Sequence, residues 1–123
     1  MKVLSPFGPK IAVIKIPLNL IKKINDEVES IIKDKKKSKS SDYSKKLVGQ
    51  VEQEIELKNK FIKKNLKSFI SKSINQYVKK ILKKKPKKIK IKNLWVVRQF
   101  KNDYNPIHFH DGNVSGVGYL KIP

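Results

Sequence analysis

The chain is organised around its last twenty residues, Tyr104-Asn-Pro-Ile-His-Phe-His-Asp-Gly-Asn-Val-Ser-Gly-Val-Gly-Tyr-Leu-Lys-Ile-Pro123. This stretch holds both histidines of the protein, His108 and His110, with one residue between them. If residues 105–110 form a strand, side chains two positions apart leave the same face of the sheet. The spacing therefore predicts two neighbouring imidazoles, followed by the carboxylate of Asp111 and a glycine turn. Such a group is the beginning of a metal site.

The length and the residue types set the outer limits. A chain of 123 residues is one small domain, in which we expect a strand and helices over residues 1–86 and the first strands of a larger sheet over residues 87–123. The absence of cysteine excludes disulfides, zinc–thiolate sites and a cysteine nucleophile. The N-terminus lacks the apolar core of a signal peptide, and no apolar run approaches the roughly 20 residues of a membrane span. We therefore expect a cytoplasmic protein without a membrane-spanning segment.

The formal charge of +20 suggests binding to nucleic acid or to an anionic membrane surface. Arg98 is, however, the only arginine among the 30 basic residues. Proteins that read nucleic acid use arginine for bidentate contacts to phosphate and guanine. Lysine-rich, isoleucine-rich and asparagine-rich usage is instead typical of an AT-rich coding sequence. We expect no specific nucleic-acid recognition, although a chain this cationic should bind polyanions in a salt-sensitive way.

The first third of the chain shows two regular patterns. Residues 10–16 are short and β-branched, which predicts a strand that Pro17 ends. Apolar residues then recur at helical spacing over residues 18–33, with Asn19 as a candidate N-cap. This pattern predicts an amphipathic helix packed on a sheet.

The middle of the chain contains the longest regular element. Residues 34–46 are polar without a period and predict a loop, whereas residues 47–57 fit either a strand or a helical turn. Apolar residues at three- and four-residue spacing predict a helix over residues 58–84, ended by Pro86. Its polar face is nearly all lysine. We interpret it as a helix covering a sheet, the alternative being a helix lying on an anionic membrane.

The last third of the chain alternates as strands do. The pattern predicts a strand over residues 87–100, turn chemistry over residues 101–106, the histidine strand, and a further strand over residues 114–122. Helices come first and strands last, which indicates the α+β class.

Several segments together resemble a known family of enzymes. Trp95, the segment Tyr104-Asn-Pro-Ile-His-Phe-His-Asp-Gly112 and the segment Ser115-Gly-Val-Gly-Tyr-Leu-Lys-Ile-Pro123 resemble 2-oxoglutarate- and Fe(II)-dependent oxygenases, most closely the small group from marine microbes and their phages. The family pattern is an aromatic strand, a His-x-His or His-x-Asp segment, a glycine-bearing turn and a Ser-Gly-Val-x-Tyr-Leu strand ending at proline. The resemblance is strong over residues 94–123 and weaker before them.

The resemblance implies a fold and a set of metal ligands. These oxygenases fold as a double-stranded β-helix, or jelly roll, with helices outside one sheet. His108 corresponds to the first iron ligand, and His110 takes the place usually held by the carboxylate of the two-histidine, one-carboxylate triad. Asp111 is the other carboxylate candidate, although a regular strand would direct it to the face opposite His108.

The resemblance also implies Fe(II) and 2-oxoglutarate as cofactors. Tyr104 lies where related enzymes often place a tyrosine that reaches the co-substrate carboxylates. Ser115 and Tyr119 lie on the strand that lines the barrel. Neither the prime substrate nor the oligomeric state is indicated by the sequence.

The sequence departs from the family in one respect. A distal histidine, and then a basic residue that pairs with the co-substrate carboxylate, belong on later strands, yet both histidines are already used. We therefore expect an N-terminal fragment of a longer oxygenase, or a degenerate relative. By itself the fragment should be inactive.

Three other interpretations compete with the oxygenase. The histidines could be ordinary strand residues near a turn, without a metal. The chain could be a basic module for nucleic acid or another polyanion, which predicts indifference to His108→Ala. It could also be a cupin-like metal protein, because two histidines two positions apart occur on barrel strands there as well. We find no phosphate-binding glycine loop, no nucleophile elbow and no carboxylate pair spaced for general acid–base catalysis.

Overall fold

The computed structural model describes residues 1–44, 48–86 and 88–122, so predictions at Lys45, Lys46, Leu47, Lys87 and Pro123 lie outside the described residues. The elements, in chain order, are β1 (Lys2–Leu4), β2 (Ile11–Val13), α1 (Leu18–Lys33), α2 (Lys35–Ser41), β3 (Gln53–Glu56), α3 (Asn59–Phe61), a π-helical turn (Ile62–Leu66), α4 (Lys67–Lys80) and β4 (Trp95–Arg98). Helices combined with small antiparallel sheets confirm the α+β class.

Helix α1 has the bounds that the apolar spacing predicts, but its N-cap is different. Asn19 is not the N-cap, because it lies inside the helix, which begins at Leu18 directly after Pro17. The carbonyl oxygen of Pro17 accepts from the backbone N–H groups of Leu20 at 2.9 Å and Ile21 at 3.1 Å. Proline's fixed φ suits the entry to a helix, so no side-chain cap is present here.

The prediction of a loop over residues 34–46 is wrong for its first half. The Asp34 carboxylate accepts hydrogen bonds from the backbone N–H groups of Lys36 at 3.0 Å and Lys37 at 3.1 Å. Asp34 thus caps α2, which runs from Lys35 to Ser41. A lysine- and serine-rich turn has no apolar period, so the aspartate was its only sequence signal.

The long helix, our name for α3, the π-helical turn and α4 taken together, covers Asn59 to Lys80. The π-helical turn places Ile62 and Leu66 in the core, and the Asn65 side-chain amide donates to the carbonyl oxygen of Phe61 at 3.2 Å. The prediction that Pro86 ends the helix is wrong, because regular helix ends at Lys80.

Two antiparallel pairs of strands account for all four strands named above. β1 pairs with β2, which is shorter than the strand predicted over residues 10–16. β3 pairs with β4 in the register Gln53↔Arg98 to Glu56↔Trp95. The ambiguity over residues 47–57 is thereby resolved in favour of a strand at Gln53–Glu56.

The core lies between α1, the long helix and one face of the β3–β4 pair. Its buried cluster consists of Ile24, Val28 and Ile31 from α1, Ile55 and Leu57 from the β3 segment, and Ile62 and Leu66 from the long helix. The Arg98 guanidinium of β4 lies 3.9 Å from the Glu29 carboxylate of α1 on the same side. As predicted, α1 packs on a sheet.

The predicted strands nearer the C-terminus are mostly absent. In the described part of residues 87–122, strand structure is confined to Trp95–Arg98, and one further bridge joins Tyr104 to Gln50. Residues 105–110 and 114–122 are therefore not strands, contrary to their alternation. Alternation reports which residue types suit a pleated surface, whereas a strand also needs a hydrogen-bonding partner.

Replacement of Leu66 by alanine tests the proposed core. Leu66 is 3% exposed, so Leu66→Ala should lower the free energy of unfolding by about 2–5 kcal/mol through lost burial and a cavity. Urea denaturation followed by circular dichroism measures the loss. The neighbouring exposed Lys67→Ala is the control, with an expected change within about 0.5 kcal/mol. Equal effects of the two substitutions would contradict this core.

Candidate metal centre

The β3–β4 pair separates the helices from the histidines. Successive side chains of a strand point to opposite faces. Val96 packs against the helical core, so Trp95 and Val97 of β4 lie on the other face. There the Trp95 ring contacts the His110 ring at a centroid distance of 5.8 Å. The candidate site therefore lies on the sheet face that the helices leave open.

A single bridge carries the chain from β4 towards the histidines. The backbone N–H of Gln50 donates to the carbonyl oxygen of Tyr104 at 3.0 Å, and the N–H of Tyr104 donates back at 3.2 Å. The turn before it is held by the Asp103 carboxylate, which accepts from the N–H of Phe100 at 3.0 Å. A Cβ on Gly49 would collide with the Asn105 side-chain amide, so a larger residue at position 49 would require that side chain to move.

The structure brings the two imidazoles together. The Nε2 atoms of His108 and His110 are 3.0 Å apart, and their ring centroids are 4.7 Å apart at an interplanar angle of 75°. Metal–imidazole nitrogen distances are about 2.1 Å, so two ligands at right angles around one ion lie about 3.0 Å apart. The nitrogen separation therefore suits adjacent positions on a metal ion, and it equally suits a hydrogen bond between two neutral imidazoles.

The second nitrogen of His108 fixes its tautomer. Nδ1 lies 2.7 Å from the carbonyl oxygen of Pro106, and because a carbonyl can only accept, Nδ1 carries the proton. In the neutral ring Nε2 then presents a lone pair towards His110. Histidines that bind metals are held in this way, with the other ring N–H donating to a carbonyl or carboxylate.

Aromatic rings support the imidazole pair from the sheet. Tyr43 is buried and stacks on Trp95 at a centroid distance of 5.5 Å and an interplanar angle of 25°. Trp95 in turn contacts His110. The rings form a continuous wall from a buried tyrosine to the exposed histidines, which restricts the positions open to the His110 side chain.

The carboxylate of Asp111 is directed to a lysine. Its Oδ2 accepts from Lys92 Nζ at 2.6 Å, and both side chains are mainly exposed. The Lys92 ammonium holds the pKa of Asp111 below its usual range, with the nearby His110 making a smaller contribution in the same direction. Asp111 thus neighbours the histidines while its charge is satisfied elsewhere.

A buried carboxyl lies close to the same face. Glu54 is 2% exposed, and its Oε2 has no hydrogen-bond partner among the described residues. Burial raises the pKa of Glu54, the Asp42 carboxylate raises it further, and His108 acts in the opposite direction. Glu54 is therefore a buried carboxyl beside the candidate site whose surroundings favour its protonated form.

The remaining predicted residues do not converge on the histidines. Tyr104 is half exposed at the bridge, Ser115 is exposed, and Tyr119 is 72% exposed. Within residues 1–44, 48–86 and 88–122, no group of three or more histidine or acidic side chains is placed to hold one metal ion. Two imidazoles are the only ligands that these residues assemble.

Sequence reasoning missed Tyr43, Glu54 and Lys92. Tyr43 lies at the end of a segment interpreted as solvated loop, and Lys92 belongs to a lysine-rich strand pattern. The pattern of residues 47–57 fits either a strand or a helical turn, and no residue type in it signals that Glu54 is buried.

Comparison with known proteins adds no family: no family model matches the chain, and no curated protein and no solved structure is significantly similar to it. Among the described residues, no helix combines the length and apolar character needed to cross a membrane. The residues of the candidate site are therefore the basis on which a function can be proposed.

The buried carboxyl predicts a pH-dependent stability. A carboxyl whose pKa is raised on folding binds more protons when folded, so stability should fall as the pH rises from the unfolded value of Glu54 through its raised folded value. The substitution Glu54→Gln should remove this loss of stability at high pH, because a glutamine side chain does not ionise. Urea denaturation should give similar stabilities for the two proteins at pH 4 and a more stable variant at pH 8.

The exposed Glu52 supplies a matched control for that measurement. Glu52→Gln changes the net charge equally, and its effect on unfolding should vary little with pH because the side chain is in water. A Glu54→Gln variant that is less stable than the natural chain at pH 8 would contradict the assignment of a destabilising buried charge.

Proposed function

We propose that this chain provides the metal-binding face of a 2-oxoglutarate- and Fe(II)-dependent dioxygenase, a hydroxylase whose iron is held by His108 and His110. The observation that carries the proposal is the 3.0 Å separation of the two Nε2 atoms, together with the Nδ1–H of His108 donating to the carbonyl oxygen of Pro106 at 2.7 Å. Imidazoles held in this way, on the open face of a sheet, suit a non-haem iron site.

The layering of the chain supports a jelly-roll barrel as the full fold. Helices outside one sheet and histidines on the opposite face are the arrangement that such a barrel requires. Apolar side chains beyond the bridge are highly exposed: Ile107, Phe109, Val117, Tyr119 and Ile122. Exposed apolar runs are normally covered, and further strands of the barrel would cover these.

The bound cofactors would supply the oxidation of a C–H bond of the prime substrate at the expense of the co-substrate and oxygen. The chain's own part is to hold and orient. His108 and His110 bind the metal, and the Trp95 ring restricts the His110 ring. Asp111 is the nearest carboxylate along the sequence and would have to leave Lys92 to become a ligand.

The proposed co-substrate contacts are Tyr104, Ser115 and Tyr119. All three have solvent-accessible side chains, so they are available to a ligand or to further strands. A third metal ligand and a cation for the co-substrate carboxylate are still required. The third metal ligand cannot be another histidine of these 123 residues, because His108 and His110 are their only histidines.

Metal binding to the histidine pair can be read from the single tryptophan. Because Trp95 contacts His110, a paramagnetic ion such as Co(II), an air-stable substitute for Fe(II), should quench its fluorescence on binding. His108→Ala and His110→Ala should each weaken the apparent affinity by at least the roughly 10- to 100-fold typical of losing a supporting group at a metal site.

Phe109→Ala is the matched control for the metal titration. Phe109 lies between the two histidines, is 94% exposed and contributes no metal ligand, so Co(II) binding should be unchanged. Equal quenching in the natural chain and in both histidine variants would mean that the imidazole pair does not bind the metal.

Turnover is the test of the oxygenase itself. The natural protein that contains these residues should consume 2-oxoglutarate in an Fe(II)-dependent reaction that His108→Ala abolishes, whereas residues 1–123 alone should not turn over. Turnover that is indifferent to His108→Ala, or no Fe(II)-dependent consumption of 2-oxoglutarate by the natural protein, would refute the proposal.

A further inference from the structure

The positive charge of the protein is concentrated in one segment. Residues 57–102 contain 17 basic and no acidic residues, whereas the rest of the chain contains 13 basic and 10 acidic residues. An AT-rich coding sequence explains why lysine replaces arginine. It does not explain the absence of aspartate and glutamate from 46 consecutive positions, when α1 carries both among its lysines.

The long helix presents this charge to solvent. Its outer side forms a shallow groove of about 670 Å³, whose lining includes Lys63, Lys67, Lys72, Lys79, Ser71 and Asn75. We call this surface the lysine groove. Lysine ammonium, serine hydroxyl and asparagine amide groups all contact phosphate oxygens in nucleic-acid complexes, and the groove has no acidic side chain in its lining.

The charges of the lysine groove are not neutralised within the described parts of the chain. The salt bridges found there involve Lys37, Lys92 and Arg98, and none involves a groove lysine. Aligned cations without internal partners repel one another and are relieved by a polyanion, which releases its condensed counterions on binding.

We propose that the lysine groove binds the phosphate backbone of nucleic acid without sequence preference. Lysine is a point charge that suits phosphate, while the bidentate geometry that reads guanine belongs to arginine. The proposal concerns a surface separate from the histidine site, because the long helix packs on the opposite face of the β3–β4 pair.

An anionic membrane is the less suitable partner. A helix lying in a membrane interface buries its apolar side in the lipid. In this protein the first part of that side is already occupied, since Ile62 and Leu66 are buried in the core, and the Tyr77 hydroxyl donates to the carbonyl oxygen of Lys10 at 3.0 Å. The apolar side chains of α4 are half-buried, whereas the four lysines of the groove are exposed, so the lysine side is the part of the long helix most open to a partner.

The test measures how binding to a fluorescent duplex DNA of random sequence depends on salt. Each phosphate contact contributes about −0.9 to the slope of log K against log salt. Four lysine contacts should therefore weaken binding on the order of a hundredfold between 50 and 200 mM salt. The variant Lys63→Gln/Lys67→Gln/Lys72→Gln/Lys79→Gln should bind much more weakly, with a slope smaller by about 3 to 4.

A second variant of equal charge is the control. Lys22→Gln/Lys23→Gln/Lys36→Gln/Lys39→Gln removes four exposed lysines outside the acid-free segment and should nearly preserve both affinity and slope. Circular dichroism checks that both variants fold. Equal losses in the two variants would show that binding follows net charge alone, and the proposal would be overturned.

Two further measurements separate this proposal from its alternatives. Binding to vesicles of equal parts phosphatidylserine and phosphatidylcholine, with none to the duplex, would overturn it in favour of a membrane partner. His108→Ala should leave duplex binding unchanged while it weakens the Co(II) affinity measured by quenching of Trp95. The lysine groove and the metal site can therefore fail independently.

Discussion

The antiparallel pairing of β3 with β4 is the constraint on which the rest of the structure depends. Its register places Ile55 opposite Val96 on the face that receives the helices. The same register necessarily turns Trp95 to the other face, where it contacts His110. A shift of one residue would exchange the two faces, so the core and the candidate metal site are fixed by the same backbone hydrogen bonds.

The pairing also explains which parts of the structure were predictable. Helix α1 and most of the long helix are local, since their apolar residues lie three or four positions apart and their backbone partners are four residues away. The strands predicted over residues 105–110 and 114–122 had the right residue types, but nothing in a single segment says whether a partner strand lies beside it. Tyr104 pairs with Gln50, whereas the described residues 105–122 form no strand pairing.

The candidate metal site likewise has a part that the sequence predicts and a part that it does not. The His-x-His spacing predicted neighbouring imidazoles on the condition that residues 105–110 form a strand; the imidazoles are neighbours, but no strand places them there. Their surroundings come from distant positions: Tyr43 stacks on Trp95 across 52 residues, and Lys92 reaches Asp111 across 19. Glu54 is beyond sequence reasoning for another reason, since a glutamate in an alternating strand is normally in water and here is 2% exposed. Its surroundings come from a distant segment that pairs with β3, in which the backbone N–H of Tyr43 donates to the carbonyl oxygen of Glu54 at 2.8 Å.

The two proposed surfaces make opposite electrostatic demands, and the fold keeps them apart. A divalent cation is favoured near Glu54 and Asp111, whose carboxyl groups interact electrostatically with His108 and His110 respectively. A phosphate backbone is favoured along the acid-free lysine groove. Placed on one face, the lysines would repel the metal ion and the carboxylates would repel the phosphates. Because the lysine groove and the histidines lie on opposite faces of the β3–β4 pair, the electrostatic potential of each surface stays separate. A nucleic acid held by the long helix would therefore leave the histidine face free for a substrate.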